Sequence, residues 1–337
     1  MSSIKCSNID KTFEKSILRN IDITIQDGEF VSILGESGCG KTTLLNVICG
    51  IDSADKGSIY FDEVNVTDLE INKRKAVIVD QELLLFPHMT VAQNIGFGLM
   101  IEKVSKQEIA ERVSELLEVI GLKGYNNKYP SELSGGEKQR VAIARGIIVK
   151  PKVLLLDETF SKLDVTLRKS LRDFVKSIHK KYHITTVLVT HDRDEAIELS
   201  DRIAVMVEGE IKQFDTPKNI YTYPAFKEVS KLFGNRNYIN CEFEGGYLKA
   251  GPFKLNNPKG YKKGQLVLRY EQVLVDESFK EHVEMTITKI EFLGSHNIIT
   301  LTKDEFELQS VLLNVNDYQV GQCVNVALDV DQVVVVD

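Results

Sequence analysis

Gly35-Glu36-Ser37-Gly38-Cys39-Gly40-Lys41-Thr42-Thr43 decides the fold of this chain of 337 residues. The stretch fits G-x-x-x-x-G-K-[ST], the Walker A phosphate loop, and it stands between a strand and a helix as that loop must. The strand is Phe30-Val31-Ser32-Ile33-Leu34, β-branched and aromatic; the helix runs from Thr42 to Cys49 and stops at Gly50. Gly35, Gly38 and Gly40 permit backbone angles that a Cβ resists, so successive N–H groups converge on phosphate oxygens at the positive end of the helix. Ser37, Cys39 and Thr43 complete the loop. Lys41 is expected to reach the β- and γ-phosphates of a nucleoside triphosphate, and the Thr42 hydroxyl to ligate Mg²⁺. The alternative is a glycine-rich turn with a surface lysine, and the four fixed positions inside a strand–helix frame disfavour it.

Further along, Val153-Leu154-Leu155-Leu156-Asp157-Glu158 is an apolar run ending in two carboxylates. It reads as a buried parallel strand that delivers both acids to a ligand crevice. Asp157 is the candidate for the Mg²⁺ shell, and Glu158, on the other face of the strand end, for the general base that polarises the attacking water. Upstream, Leu133-Ser134-Gly135-Gly136-Glu137-Lys138-Gln139-Arg140 opens an Ala- and Ile-rich helix and resembles the signature motif of the ABC ATPases. Ser134, Gly135, Gly136 and Glu137 then form a second anion site at a helix N-terminus.

That resemblance implies further roles. Phe13 matches the aromatic that stacks on adenine, Gln81 the Gln-loop residue near the metal, Ser161 to Asp164 the D-loop with Asp164 at the nucleotide, and His191 the switch histidine. His191 also ends an apolar strand, Thr185 to Thr190, where an α/β sheet exposes residues to its ligand. Two positions depart from the family pattern. Asp80 stands where an aromatic usually precedes the Gln, and Thr159 where Pro usually follows the catalytic Glu. Neither removes a group that touches nucleotide in the family.

The expected fold is an α/β P-loop ABC ATPase domain with an inserted helical subdomain, followed by a small all-β, OB-like C-terminal domain. Residues 1–235 form the first, with the helical subdomain at about 88–150, and residues 236–337 the β-barrel-like (OB/TOBE-type) regulatory domain. Val91 to Met100 and Ser105 to Ile120 have helical spacing, with Ile109, Val113, Leu116, Leu117 and Ile120 on one face. Beyond Tyr238 short β segments alternate with Gly, Asn, Asp and Pro, including Leu266 to Tyr270, Val283 to Ile290, Ile298 to Leu301, Val324 to Leu328 and Val333 to Val336. Residues 238–337 carry nine Lys plus Arg against fifteen Asp plus Glu, net −6 of the total −7, which disfavours a nucleic-acid-binding barrel.

No run of about 18 apolar residues occurs, and Met-Ser-Ser-Ile-Lys carries no apolar export signal, so the chain is expected on the cytoplasmic side of the membrane, peripheral to it. The five cysteines form no C-x-x-C pair, which supports neither a disulfide framework nor a zinc site. Cys39, near a helix N-terminus, is expected to have a lowered thiol pKa.

Glu291-Phe292-Leu293-Gly294-Ser295-His296, with Asp201 to Met206 and Thr216 to Tyr221, extends the resemblance to ATPases of bacterial importers for sugars, polyamines, ferric iron and oxyanions. It implies ATP and Mg²⁺ as cofactors and a second copy of the chain as partner, ATP being clamped between Gly35–Thr43 of one copy and Ser134–Glu137 of the other. It further implies membrane permease subunits docking near Gln81–Met89, an extracytoplasmic solute-binding protein acting through them, and no nucleic acid. Residues 190–196 lean toward the ferric-iron and polyamine branches. The alternatives are a non-transport ABC ATPase, an exporter ATPase, or a protein whose β domain is chiefly a regulatory binding module. No coiled-coil insertion or tandem cassette speaks for the first, and the C-terminal β domain speaks against the second.

Overall fold

The computed structural model describes residues 2–80, 82, 84–160, 165–257, 259–275, 282–313, 318–329 and 334–336. The chain divides into two compact units, Met1–Lys218 and Asn219–Asp337.

In the first unit, β1 (Ile4–Thr12), β2 (Ser16–Ile25), β3 (Phe30–Leu34), β4 (Lys56–Phe61), β5 (Val64–Asn65), β6 (Ala76–Val79), β7 (Val153–Asp157), β8 (Thr185–Thr190), β9 (Arg202–Val207) and β10 (Glu210–Asp215) form two sheets. One is antiparallel, in the order β2-β1-β4-β5; the other, six-stranded, runs β10-β9-β3-β8-β7-β6 and is parallel except for β10 at its edge. The helices are α1 (Lys41–Cys49), α2 (Ile71–Arg74), α3 (Val91–Ile101), α4 (Lys106–Val119), α5 (Gly135–Ile147), α6 (Val165–Tyr182) and α7 (Arg193–Leu199).

The near-continuous apolar runs of the parallel strands follow from burial on both faces. In β7, Val153 and Leu155 join a core with α1 and the antiparallel sheet, whereas Leu154 and Leu156 join a second core built with α3, α4, α5 and α6. The helical subdomain agrees with its spacing. Thr90 caps α3 in a capping box, Ser105 caps α4, and Val113, Leu116, Leu117 and Ile120 are buried with Ile109 packed beside them. Two α3 glycines permit close packing, since a Cβ on Gly96 would lie 2.7 Å from Ile109 Cγ2 and one on Gly98 against Val149.

Arg74 anchors α1 from behind. Only 4% exposed, its guanidinium donates to Val47 O (2.8 Å), Ile48 O (3.1 Å), Leu69 O (3.0 Å) and Thr67 O (2.7 Å). Two of those carbonyls close the C-terminal end of α1, where a cation is also favoured by the helix dipole.

The second unit, Asn219–Asp337, takes in helical residues ahead of its β region. The reason lies in Arg236, which donates to Ser230 O (3.1 Å) and Tyr221 O (2.8 Å) and so ties α8 (Pro217–Thr222) and α9 (Lys227–Leu232) to the first strand of the β region. That region holds β11 (Arg236–Asn240), β12 (Glu242–Glu244), β13 (Tyr247–Ala250), β14 (Phe253–Asn256), β15 (Gln265–Arg269), β16 (Val273–Val275), β17 (Val283–Phe292), β18 (Asn297–Lys303), β19 (Phe306–Leu312), β20 (Cys323–Leu328) and β21 (Val335–Val336). They form antiparallel sheets β11-β15-β21, β12-β13-β14 and β16-β20-β17-β18-β19 around one apolar cluster. The Asn237 side chain pairs with both Gln309 N (2.8 Å) and Gln309 O (2.9 Å), joining β11 to β19 and giving the barrel-like form. Five of these strands match the sequence expectation, although Val333 lies outside the described residues.

Arg74→Met is expected to lower the unfolding free energy by about 2–4 kcal/mol, because four carbonyls lose their donor. Lys73→Met, which removes an exposed partner of Glu70, should change it by less than about 0.5 kcal/mol. Urea titrations of both variants against the parent make the comparison, and coincident midpoints would refute the anchoring role.

Candidate active site

The parallel register sets the site. Leu34 pairs with Thr190 and Asp157 with Val189, so the carboxyl ends of β3, β8 and β7 lie side by side. The loop after β3, His191 after β8, and Asp157 with Glu158 at the end of β7 therefore meet in one crevice.

Gly38 and Gly40 take left-handed angles, φ 82° and 107°, and a Cβ on Gly35 would overlap Met206 O. Lys41 is buried, and its ammonium donates to Gly35 O (2.9 Å) and Glu36 O (2.8 Å), in the hollow of the loop. The Thr42 hydroxyl donates to Asp157 Oδ1 at 3.2 Å. Burial pushes the Asp157 carboxyl above its usual range; Thr42 and Lys41 act against this, while the charges of Glu158 and Asp80 add to it. A divalent cation fits there. Thr42 and Asp157 are hard oxygen donors, and among the described residues no trio of His, Cys, Asp or Glu forms a closed metal cage. That sparse set suits Mg²⁺, which keeps waters and phosphate oxygens in its shell.

Glu158 turns out of β7 with φ 43°, its N–H donating to Val189 O at 3.0 Å. His191 Nδ1 lies 3.4 Å from Glu158 Oε1. Behind His191, the Thr190 hydroxyl donates to Glu195 Oε2 (2.6 Å) and accepts from Asp192 N (2.9 Å), while Asp192 caps α7. Glu195 is buried, and burial pushes its carboxyl up. Sequence reasoning missed this support, although the spacing Asp192-x-x-Glu195 ahead of a helix carries a capping pattern.

The signature stretch caps α5. Ser134 Oγ accepts from Glu137 N (3.4 Å), Glu137 Oε2 accepts from Ser134 N (2.8 Å), and the Tyr125 hydroxyl donates to Glu137 Oε1 (2.9 Å). The Ser134 amide, then Tyr125, hold the Glu137 carboxyl below its usual range. A Cβ on Gly136 would overlap Leu167, so glycine lets α5 approach α6. Among the described residues no hydrogen bond joins Ser134–Glu137 to the loop Gly35–Thr43. Phe13 is 56% exposed, with Lys11 Nζ 5.1 Å from its ring centre. Gln81, Asp164 and the rest of the Ser161–Asp164 segment lie outside the described residues.

Residues 18–161 match the ABC transporter family. An Fe(3+) ions import ATP-binding protein of Fusobacterium nucleatum is 43% identical over 300 residues, 87% of this chain and 81% of that protein. The chain belongs to the ABC importer ATPases. A spermidine/putrescine import ATP-binding protein of Mycoplasma mycoides is 35% identical over 334 residues, covering 96% and 94% of the two chains. A dimeric ATP-binding cassette in a post-hydrolysis state, bound to ADP and Pi, superposes with a TM-score of 0.57 and 31% identity, covering 64% of this chain and 98% of that one. In this importer ATPase the ATP-hydrolysing core is thus the first unit, and the β-rich unit is an addition to it.

One expectation is corrected. The Cys39 thiol is pushed up, not down, because burial outweighs the help of Lys41 and of the loop amides. Maleimide should therefore label Cys39 more slowly at pH 7 than it labels free cysteine, with the rate climbing as pH rises, and Mg-ATP should protect it. Mass spectrometry of timed reactions reads both effects, and labelling at the free-cysteine rate would contradict the burial.

Proposed function

We propose that this importer ATPase works as a head-to-tail homodimer on the cytoplasmic side of the membrane, peripheral to it, and powers uptake of a small solute through separate permease subunits. The observation that carries this reading is the likeness to a dimeric ATP-binding cassette bound to ADP and Pi, taken with two helix N-termini suited to anions in each chain. One, at α1, bears the Walker A loop, and the other, at α5, bears Ser134 to Glu137, with no hydrogen bond between them among the described residues. One chain offers each ATP only half of its ligands, and a second copy turned end for end offers the rest. ATP is then a ligand of the closed dimer alone and draws the population toward closure by its differential affinity.

Within each half, Phe13 stacks on adenine, the loop amides and Lys41 hold the phosphates, and Asp164 contributes to nucleotide binding. Glu158 takes the proton of the attacking water, with His191 beside it to hold that carboxylate and the departing phosphate. Mg²⁺ would be held by Thr42, Asp157 and Gln81 and supplies charge neutralisation at the β- and γ-phosphates. Loss of the γ-phosphate removes the bridge, and the halves part.

Permease docking near Gln81–Met89 is supported by a groove of about 600 Å³ between α3 and α4, whose lining includes His88, Met89, Gln93, Met100, Ile109 and Ala110. A short amphipathic helix suits it. Buried Asn94 fixes the rim, donating to Phe86 O (3.1 Å), Met89 O (3.1 Å) and Thr90 O (3.0 Å) and accepting from Phe86 N (2.8 Å). No helix among the described residues is long and apolar enough to cross a membrane. The solute, ferric iron, a polyamine or similar, touches an extracytoplasmic binding protein and the permeases rather than this chain.

Glu158→Gln should keep ATP bound while hydrolysis falls by about 10²–10⁴, and Mg-ATP should convert the variant from monomer to a stable dimer in sedimentation velocity. Captured from detergent-solubilised membranes in that state, it should bring a multi-spanning membrane protein with it. Parental turnover would refute the assignment of the base, a persistent monomer the dimer, and recovery of ribosomes or repair factors alone the importer role.

A further inference from the structure

Gln139 lies one turn inside α5, buried at 4% exposure, where a solvated polar side chain would be the ordinary outcome. Its Nε2 donates to the carbonyl of Thr159, the residue directly after Glu158. That carbonyl fixes which end of the amide faces the loop. Gln139 Oε1 is left buried with no partner among the described residues, and so is the Thr159 hydroxyl, on a residue only 1% exposed. A buried polar atom without a partner is unfavourable, so the contact persists against a penalty at both of its members. Such an arrangement marks a place where structure serves something other than stability.

The carbonyl it grips lies one residue beyond the general base. Glu158 stands at φ 43°, a left-handed conformation uncommon for a residue with a long side chain. Its own N–H is held from one side by Val189 O at 3.0 Å, on β8. From the other side the following carbonyl is held by Gln139, on the helix whose N-terminus carries Ser134, Gly135 and Gly136. Any displacement of α5 along or about its axis is therefore passed to the backbone at 158–159, and so to the carboxylate 3.4 Å from His191.

We propose that Gln139 is a positioning residue that couples the two ATP sites of the dimer. This rests on the head-to-tail arrangement above: in each chain α5 closes on the partner's ATP, whereas Glu158 acts on the chain's own. The bond from Gln139 to Thr159 joins those duties within one polypeptide. Closure over the partner's nucleotide sets the angle of α5, and Gln139 converts that angle into the placement of Glu158. A base displaced by a fraction of an ångström loses rate steeply, so the coupling acts on kcat and leaves nucleotide affinity alone. It requires no contact between Gln139 and ATP.

The test is Gln139→Met in the full chain, which keeps the volume and removes the donor. Expected are a kcat lower by about tenfold, a KM within about twofold of the parent, and a Hill coefficient for ATP hydrolysis that falls from above unity toward unity. The cooperativity is the discriminating readout, because a merely structural defect reduces the active fraction without changing it. In a Glu158→Gln background, Gln139→Met should still give the Mg-ATP-driven dimer. Should Gln139→Met not accumulate as folded protein, Gln139→Asn, one methylene short of Thr159 O, makes the same comparison. A parental Hill coefficient in the variant, with or without loss of kcat, overturns the proposal, as does a parent that hydrolyses ATP without cooperativity. Failure of the dimer reading shows separately, as absence of a dimer in Glu158→Gln alone.

Discussion

The side-by-side register of β3, β8 and β7 is the constraint on which the catalytic end of the molecule depends. Those strands are buried on both faces, so neither can slide or turn over without moving an apolar side chain into water. Their carboxyl ends are consequently fixed relative to each other, and the groups that follow them inherit that precision. The Walker A loop, Glu158 and His191 are each short of regular structure, but each begins at a strand end that cannot move.

Charge completes what packing begins. Asp80 and Glu158 stand near Asp157, whose burial already disfavours its ionisation and whose carboxyl their charges push up further. Lys41 and the Thr42 hydroxyl offset part of the effect. The site is therefore electrostatically incomplete in a way that a divalent cation and its phosphate oxygens relieve, since a nearby positive ion favours the ionised acid. Binding of a divalent cation there and ionisation of Asp157 would reinforce one another.

Much of this was legible in the residues. The loop spacing, the two carboxylates after Leu156 and the glycines after Ser134 are patterns whose chemistry dictates their order, and they stand where the sequence put them. Three features were not legible. The antiparallel sheet was overlooked because its alternation is broken: β1 shifts register between Cys6 and Ile9 and again before Lys11, and Asn8 and Asn20 take positive φ. The attachment of α8 and α9 to the β region was hidden because they look like the tail of an α/β domain, and the bonds that tie them to it, from Arg236 to Tyr221 O and Ser230 O, from Tyr221 to Glu271 and between Ser230 and Tyr238, follow no sequence pattern. Asn94 passed as one polar residue in an apolar helix, since its four bonds go to backbone groups that no pattern announces. Short strands such as β12 and β13 escaped for a related reason: with three or four residues each, periodicity has too few positions to register.

Asp80, the first of the two departures from the family pattern, gains its meaning from position. Its charge reaches Asp157 on one side, raising that carboxyl, and on the other side favours the cationic form of Arg145, whose guanidinium burial works against. Arg145 in turn donates to Leu84 O at 2.9 Å and lies 5.5 Å from the centre of the Phe86 ring. Asp157 and the loop that starts at Leu84 are thus linked through two charged groups, Asp80 and Arg145. An aromatic at position 80 would leave Arg145 without that neighbouring charge and Asp157 without that repulsion. A change in charge at Asp157 acts on the loop from Leu84 to Met89 through Coulombic interaction in a partly buried setting, where solvent screens less than at the surface. Thr159, the second departure, lies on the other link out of the same crevice, toward α5. Both departures therefore fall on connections leading away from the crevice, and the Walker A and signature stretches keep the family pattern.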